Sequence, residues 1–286
     1  MYAPVLASRR LIVAALLLFL SMARPLAAAP PVVAFDETHG EKFLVGSDEK
    51  LGLSQLGEIL RRGGARVQPL RPPLTGSLDG IDALVVSGAF AAFTPEEVDA
   101  LVAFVERGGR LAVMLHIPFP LTPLLRRLHV DFANGVIRDP GRSVGGDPMS
   151  FTVTTFEPHA LTRGLDSISV FGAWALRNEG DQAAIIARSG NDSWIDLNRN
   201  DRSDPGDAVQ SFGIAVAGAI GRGQFVVFGD DALFQNQFLE GGNRRLATNL
   251  ACWLTPSVCL PTDRSTKSDS GNPREARRFG ALRFTS

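Results

Sequence analysis

Between residues 31 and 115 the chain alternates unbroken apolar runs with segments whose apolar residues recur at helical spacing. Val32-Val-Ala-Phe35 reads as a buried strand that ends at Asp36-Glu-Thr-His39. Residues 51–60 carry a helical stripe closed by Gly63-Gly64, a C-terminal signal. A short strand follows at 66–70, and Ala83-Leu-Val-Val-Ser87 is a second buried one. Thr94-Pro-Glu-Glu97 supplies an N-cap, a proline at the first helical position and an acidic first turn. That helix runs through Val98, Leu101, Val102 and Val105 to Gly108-Gly109, and Arg110-Leu-Ala-Val-Met-Leu115 is the next strand.

The pattern changes at about residue 133. From there to 218 the chain is richer in Gly, Asp and short β-like runs, and no long helical stripe appears. A buried strand returns at 223–228, ending in Gly229-Asp230-Asp231, and a closing helix is expected over 243–254. Continuous apolar strands joined by amphipathic helices imply a parallel sheet covered on both faces. The expectation is therefore an α/β, flavodoxin-like domain over 30–258 with a β-rich insertion at 133–218.

The ends of the chain differ from this domain. Arg9-Arg10, the apolar run 11–20 and Ala27-Ala-Ala29 have the layout of a secretory signal over 1–28. The run is short for a bilayer span. An uncleaved anchor is the alternative, and no later stretch is apolar enough to span. A periplasmic or secreted protein is expected. In that compartment the two cysteines, Cys252 and Cys259, are expected to pair. Residues 260–286 are polar without a core pattern and read as a disordered tail. A net charge of -1 offers no electrostatic footprint for nucleic acid.

One segment names a ligand. Residues 196–207 place Asp196, Asn198, Asn200, Asp204 and Asp207 at positions 1, 3, 5, 9 and 12 of a calcium loop, with the carbonyl of Arg202 at position 7. Asp201 stands where an EF-hand has Gly, and Asp207 where it has Glu. The flanks, 183–187 and 193–195 before and 212–216 after, are β-prone. A structural Ca2+ clasp between strands is the reading, against a solvated acidic turn.

Several motifs in order carry a family resemblance: Asp36-x-x-His39, the Thr94 helix with the strand ending at His116, Glu157-Pro-His-Ala-Leu-Thr-Arg-Gly164, and Gly221-Arg-Gly-Gln-Phe-Val-Val-Phe-Gly-Asp230. Together they resemble the class I glutamine amidotransferase-like superfamily. The resemblance is to its non-amidotransferase branch, with domains of unknown function and the related domains of gliding-motility transporter components and intraflagellar-transport proteins. It implies a nucleophilic Cys on a strand-to-helix turn, but the matching strand end reads Leu115-His-Ile-Pro-Phe119. Glutamine hydrolysis therefore does not carry over.

In open α/β sheets ligands bind beyond the carboxyl ends of the strands. Asp36, His39, Ser87, His116, Asp230 and Asp231 are the polar groups expected there. As candidate catalytic residues, Asp36, His39, His116 and Asp230 would make a hydrolase. As loop-fixing groups they would not, with His116 a satisfied near-core histidine. His159 reads as structural and His129 as the surface of a short helix, while Trp174 and Trp194 read as core packing. The reading is a non-catalytic module that binds a small ligand or a protein partner. A hydrolase and an accessory subunit of an ABC-type transport system are the alternatives.

Overall fold

The computed structural model describes residues 29–259, so the expected signal segment and tail lie outside the described residues. Strands β1 (Val32–Phe35), β2 (Arg66–Pro69), β3 (Ala83–Ser87) and β4 (Arg110–Met114) are mutually parallel in the order β2-β1-β3-β4. The intervening helices are α1 (Ser54–Arg62) and α2 (Pro95–Glu106), followed by the short α3 (Thr122–Arg127). The predicted N-cap is present and is part of a capping box: Glu97 N donates to Thr94 Oγ1 at 3.2 Å, and Thr94 N donates to Glu97 Oε2 at 2.9 Å.

Then come β5 (Val130–Arg138), β6 (Ser143–Val144), β7 (Asp147–Val153), β8 (Thr155–Phe156), β9 (Ile168–Phe171) and β10 (Trp174–Asn178). The last strands are β11 (Ala183–Arg188), β12 (Trp194–Ile195), β13 (Ala208–Val209), β14 (Gly213–Ile220) and β15 (Gly223–Phe228), and the chain closes on α4 (Gly241–Leu254).

These strands correct the expected fold class. The protein is mostly β, with a 12-stranded mixed sheet in the order β13-β12-β5-β10-β14-β15-β4-β3-β1-β2, to which β11 adds by pairing with β14 and β8 by pairing with β11. It is not a flavodoxin-like parallel sheet. Only β15 joins the first four strands in parallel, through β4. The segment expected as an insertion instead continues the same sheet, because β14 folds back antiparallel onto β15 and β10 pairs with β14 and β5. Within it, only β6, β7 and β9 form a separate three-stranded sheet.

The parallel strands alternate their side chains between two apolar layers. Val33, Phe35, Val85, Ala112, Met114 and Phe228 join one buried cluster with Leu56 and Leu60 of α1 and Leu246 and Leu250 of α4. Ala34, Leu84, Val86, Leu111, Val113 and Val227 join the other with Leu101 and Val105 of α2 and Leu124 of α3. Each fully buried aliphatic side chain stabilises the fold by about 1.5–3 kcal/mol, so both layers are fixed.

This fixes the strand ends as well. Phe35 pairs with Val85, Ser87 with Met114, and Met114 with Phe228, so β1, β3, β4 and β15 finish at nearly one level. The disulfide joins Cys252 in α4 to Cys259 as expected. Among the described residues no helix is long and apolar enough to cross a membrane.

Candidate functional site

The level strand ends bring the predicted polar residues to one edge of the sheet, in two adjoining clusters. The first follows β1. Asp36 is buried, and its Oδ1 accepts from Thr38 N at 3.1 Å and Thr38 Oγ1 at 2.8 Å. Its Oδ2 faces His39 Nδ1 at 2.7 Å. The other ring nitrogen, Nε2, lies 3.3 Å from Glu97 Oε2. The His39 ring stacks on Phe93 with centroids 3.6 Å apart. Its carbonyl accepts from Phe90 N at 3.0 Å and Ala91 N at 2.8 Å, which binds the segment after β1 to the segment after β3.

Glu41 completes this cluster. Its Oε2 accepts from His39 N at 2.7 Å, while its Oε1 is buried without a hydrogen-bond partner. Among the described residues, Asp36, His39 and Glu41 are the group of three whose candidate ligand atoms all lie within 4.8 Å of one another.

The electrostatics follow from crowding. Burial works against charge on both Asp36 and His39, but their mutual hydrogen bond and opposite charges prevail. The carboxyl is held below its ordinary range and the imidazole above its own. Glu41 has no such partner. Burial first and the Asp36 charge second push it up to about 8.

The second cluster lies at the ends of β4 and β15. His116 Nδ1 is 3.3 Å from Asp231 Oδ1, with the imidazole side chain 42% exposed and the carboxyl 2%. His116 is therefore not the near-core histidine expected; its ring stands at the surface between Phe43 and Phe90, at centroid distances of 5.2 and 5.3 Å. The hydrogen bond to Asp231 raises its pKa. The indole of Trp174 donates to the His116 carbonyl at 2.9 Å, so Trp174 positions this strand end.

Below the ring, Asp230 is buried and accepts from Phe171 N at 2.6 Å and Ala232 N at 2.9 Å. Burial, then the neighbouring Asp231 charge, push Asp230 up to about 7, and burial also raises Asp231. Asp231 Oδ2 and Ser87 Oγ are buried without partners. Buried polar atoms are nearly always bonded, and three of the four unpartnered side-chain atoms among the described residues (Glu41 Oε1, Ser87 Oγ, Asp231 Oδ2) belong to these strand ends.

The structure places Asp36, His39, Ser87, His116, Asp230 and Asp231 at one edge of the sheet. Sequence reasoning missed Glu41, Glu97 and the phenylalanines 43, 90 and 93. Glu97 was legible only as a cap, and Glu41 as one more polar residue in a loop.

The loop at 196–207 stands elsewhere. Asp196 accepts from Asn200 N at 3.1 Å and Asp201 N at 2.8 Å, wrapping the loop about its first carboxylate. Asp201 has φ 60°, the left-handed backbone that its EF-hand position requires. Asp204 accepts from the side-chain amides of Asn198 and Asn200, and Asp207 from Leu197 N and Asp204 N. Arg202 N donates to Asn200 Oδ1 at 2.9 Å. Arg138 reaches in from β5, 3.5 Å from Asp196 and 2.8 Å from Asp201. The flanks are β12 and β13, strands as expected.

His159 is half-buried and accepts from Leu161 N at 3.2 Å, a structural role. His129 is exposed, just beyond α3. Trp194 is buried beneath the Arg138 guanidinium, 4.9 Å from its ring centre.

Comparison with known proteins adds the following. Among solved structures, the chain is similar to the mmIFT52 N-terminal domain, with a TM-score of 0.62 and 18% identity over 78% of this chain and 97% of that one. It is also similar to a putative ThuA-like protein from Parabacteroides merdae, with a TM-score of 0.51 and 12% identity over 82% of this chain and 94% of that one. At these identities the likeness shows the fold alone. Comparison with curated proteins gave no match. A family model described as a domain of unknown function, DUF4350, matches residues 46–251. Ser87, Glu97, His116, Asp230 and Asp231 lie inside that range, and Asp36, His39 and Glu41 precede it.

Proposed function

The chain belongs to the DUF4350 family, whose function is unknown, and we propose that it is an exported module that binds a small, donor-rich or cationic ligand at the strand ends. The observation that carries this reading is the pair of unpartnered buried oxygens, Ser87 Oγ and Asp231 Oδ2, at the strand ends beside the half-exposed His116. An orphaned buried acceptor costs about 1–3 kcal/mol, which a ligand N–H or O–H would offset. Ser87 and Asp231 offer such a ligand acceptors, and Phe43 and Phe90 offer it an apolar rest. Export is supported by the order of basic, apolar and small residues before residue 30 and by the Cys252–Cys259 bond. Kinship with the amidotransferase-like superfamily rests on motif order in the sequence.

The test is a thermal-shift screen of small amines, guanidines and amino sugars against the wild type, His116→Ala and Asp231→Asn. Hits that stabilise the wild type alone support the reading. A screen without hits, or hits that survive both substitutions, would sink it.

A second reading, hydrolase, is favoured by one observation. A buried carboxylate orients an exposed imidazole, the pairing a general base needs. Turnover of chromogenic esters, phosphates or glycosides that disappears in His116→Ala but not in Asp36→Asn would favour it over simple binding. The calcium clasp at 196–207 is likewise a proposal, supported by the wrap of backbone amides around Asp196.

A further inference from the structure

We propose that Asp36, His39 Nδ1 and Glu41 form a binding site for one divalent transition-metal ion of the Zn2+ class, with Glu97 as the residue that orients the histidine. Two observations meet here. The three side chains are buried, and their donor atoms lie within 4.8 Å of one another. Glu41 Oε1 is buried without any hydrogen-bond partner, although its carboxyl belongs to this group. Two carboxylates side by side in a buried site need a cation or a shared proton between them, and a bound ion would displace that proton.

The surroundings are those of a ligand set. A metal-bound histidine characteristically donates its other ring N–H to a carboxylate, which fixes the tautomer and ring direction. His39 has that arrangement: Nδ1 faces Asp36 at 2.7 Å and Nε2 faces Glu97 at 3.3 Å. Asp36 Oδ1 is occupied by the amide and hydroxyl of Thr38, which leaves Oδ2, the oxygen that faces His39 Nδ1, as the ligand atom. Glu41 Oε2 is held by His39 N, which leaves Oε1. Phe93 stacks on the ring and prevents it from turning away. The ion takes the place of the proton between His39 Nδ1 and Asp36. One imidazole and two carboxylates suit Zn2+ and Mn2+ better than soft or purely oxophilic ions.

This site is separate from the ligand reading at His116 and does not depend on it. The experiment uses untagged full chain, stripped with chelator and titrated with Zn2+ by calorimetry and by melting. The wild type is expected to take one equivalent and to melt higher with the ion. Glu41→Gln should lose at least tenfold in Zn2+ affinity while its metal-free form melts no lower than the wild type, since glutamine fills the same space and keeps an oxygen for His39 N. Glu97→Gln should weaken binding about 10–100-fold. Asp231→Asn and Asp207→Ala should bind as the wild type does. If a variant fails to fold, the imidazole 15N shifts of the wild type still decide, because Zn2+ must move His39 Nδ1. No saturable Zn2+ binding, equal binding by Glu41→Gln, an unmoved His39 Nδ1, or loss of the ion in Asp231→Asn or Asp207→Ala would each overturn the proposal. Loss of amine hits with Zn2+ binding intact would reject only the ligand reading.

Discussion

One oxygen of Glu97 serves two elements: Oε2 accepts from Thr94 N at 2.9 Å to close the capping box of α2, and it lies 3.3 Å from His39 Nε2. The start of a helix is thereby coupled to the loop after β1. A cap contributes about 1 kcal/mol, and the same carboxylate helps to hold His39 in its protonated form.

That coupling has a pH signature. Burial lowers the His39 pKa, but Asp36 and then Glu97 more than reverse this and leave it raised above 6.5. A raised histidine pKa gives stability that is fully present below the unfolded value and fades as pH rises through the folded one. Wild-type melting temperature is therefore expected to decline above pH 6.5 through this group. In Glu97→Gln, which keeps the cap's reach but not its charge, the decline should begin at lower pH, and the His39 ring should titrate earlier by NMR. An unchanged His39 titration would show that Glu97 is only a cap. Glu97→Ala should lose about 1 kcal/mol more, as the cap goes too.

Asp230 works in the opposite direction. Burial, then Asp231, raise it to about 7, while amides of Phe171 and Ala232 partly hold its charge. Between the unfolded value and about 7 the native state keeps a proton that the unfolded chain has released, so stability falls as pH rises across that window. A rise from 3.8 to about 7 is worth on the order of 4 kcal/mol, less about 1–3 kcal/mol because asparagine leaves one of the two buried amides without an acceptor. Asp230→Asn should therefore melt above the wild type at pH 8 and at or below it at pH 5. Parallel pH profiles for the two proteins would refute this account.

Much of this was legible. The elements of the parallel half follow from local pattern: four-residue apolar runs, helical stripes, the Thr94 cap and the glycines that close each helix. Strand-end logic then put Asp36, Ser87, His116 and Asp230 at one edge, because it needs only strand direction. The sheet as a whole was misread. Sequential strands and helices suggest parallel pairing, but Gly221-Arg222 between two β-prone runs is a hairpin signal. Gly221 has φ 58°, and Ile220 pairs with Gly223 across that turn. This hairpin sends β14 antiparallel, and through it β10, β5, β12 and β13 join the same sheet, while β6, β7 and β9 stand apart. Glu41 escaped notice for another reason. Its role depends on a loop folding back on Asp36, and no periodicity records that contact.

Gly88 guards the second cluster. It follows Ser87 with φ +65°, and a β-carbon there would meet Phe43 at 2.8 Å and Asp231 Oδ2 at 3.0 Å. Gly88→Ala combines left-handed strain with these contacts, and a loss of about 1–3 kcal/mol is expected. Because Phe43 and Asp231 must both give way, the His116 resonances should shift as well. A variant as stable as the wild type, with His116 undisturbed, would mean that the strand-end packing is looser than described.

The loop at 196–207 offers a test separate from both clusters. A ligand that binds only the native chain stabilises it by mass action, about 2.7 kcal/mol at a hundredfold excess over Kd. Millimolar Ca2+ is expected to raise the melting temperature of the wild type and of Glu41→Gln equally, and to leave Asp207→Ala unmoved. Arg138 sharpens the prediction. Its guanidinium lies 3.5 Å from Asp196 and 2.8 Å from Asp201, a resident positive charge beside the loop's first ligand. Arg138→Met, which keeps apolar cover over Trp194, should lower the metal-free melt and increase the gain from Ca2+. Should Ca2+ leave every variant unchanged, the loop is an acidic turn that Arg138 already neutralises, and its EF-hand spacing has no ligand behind it.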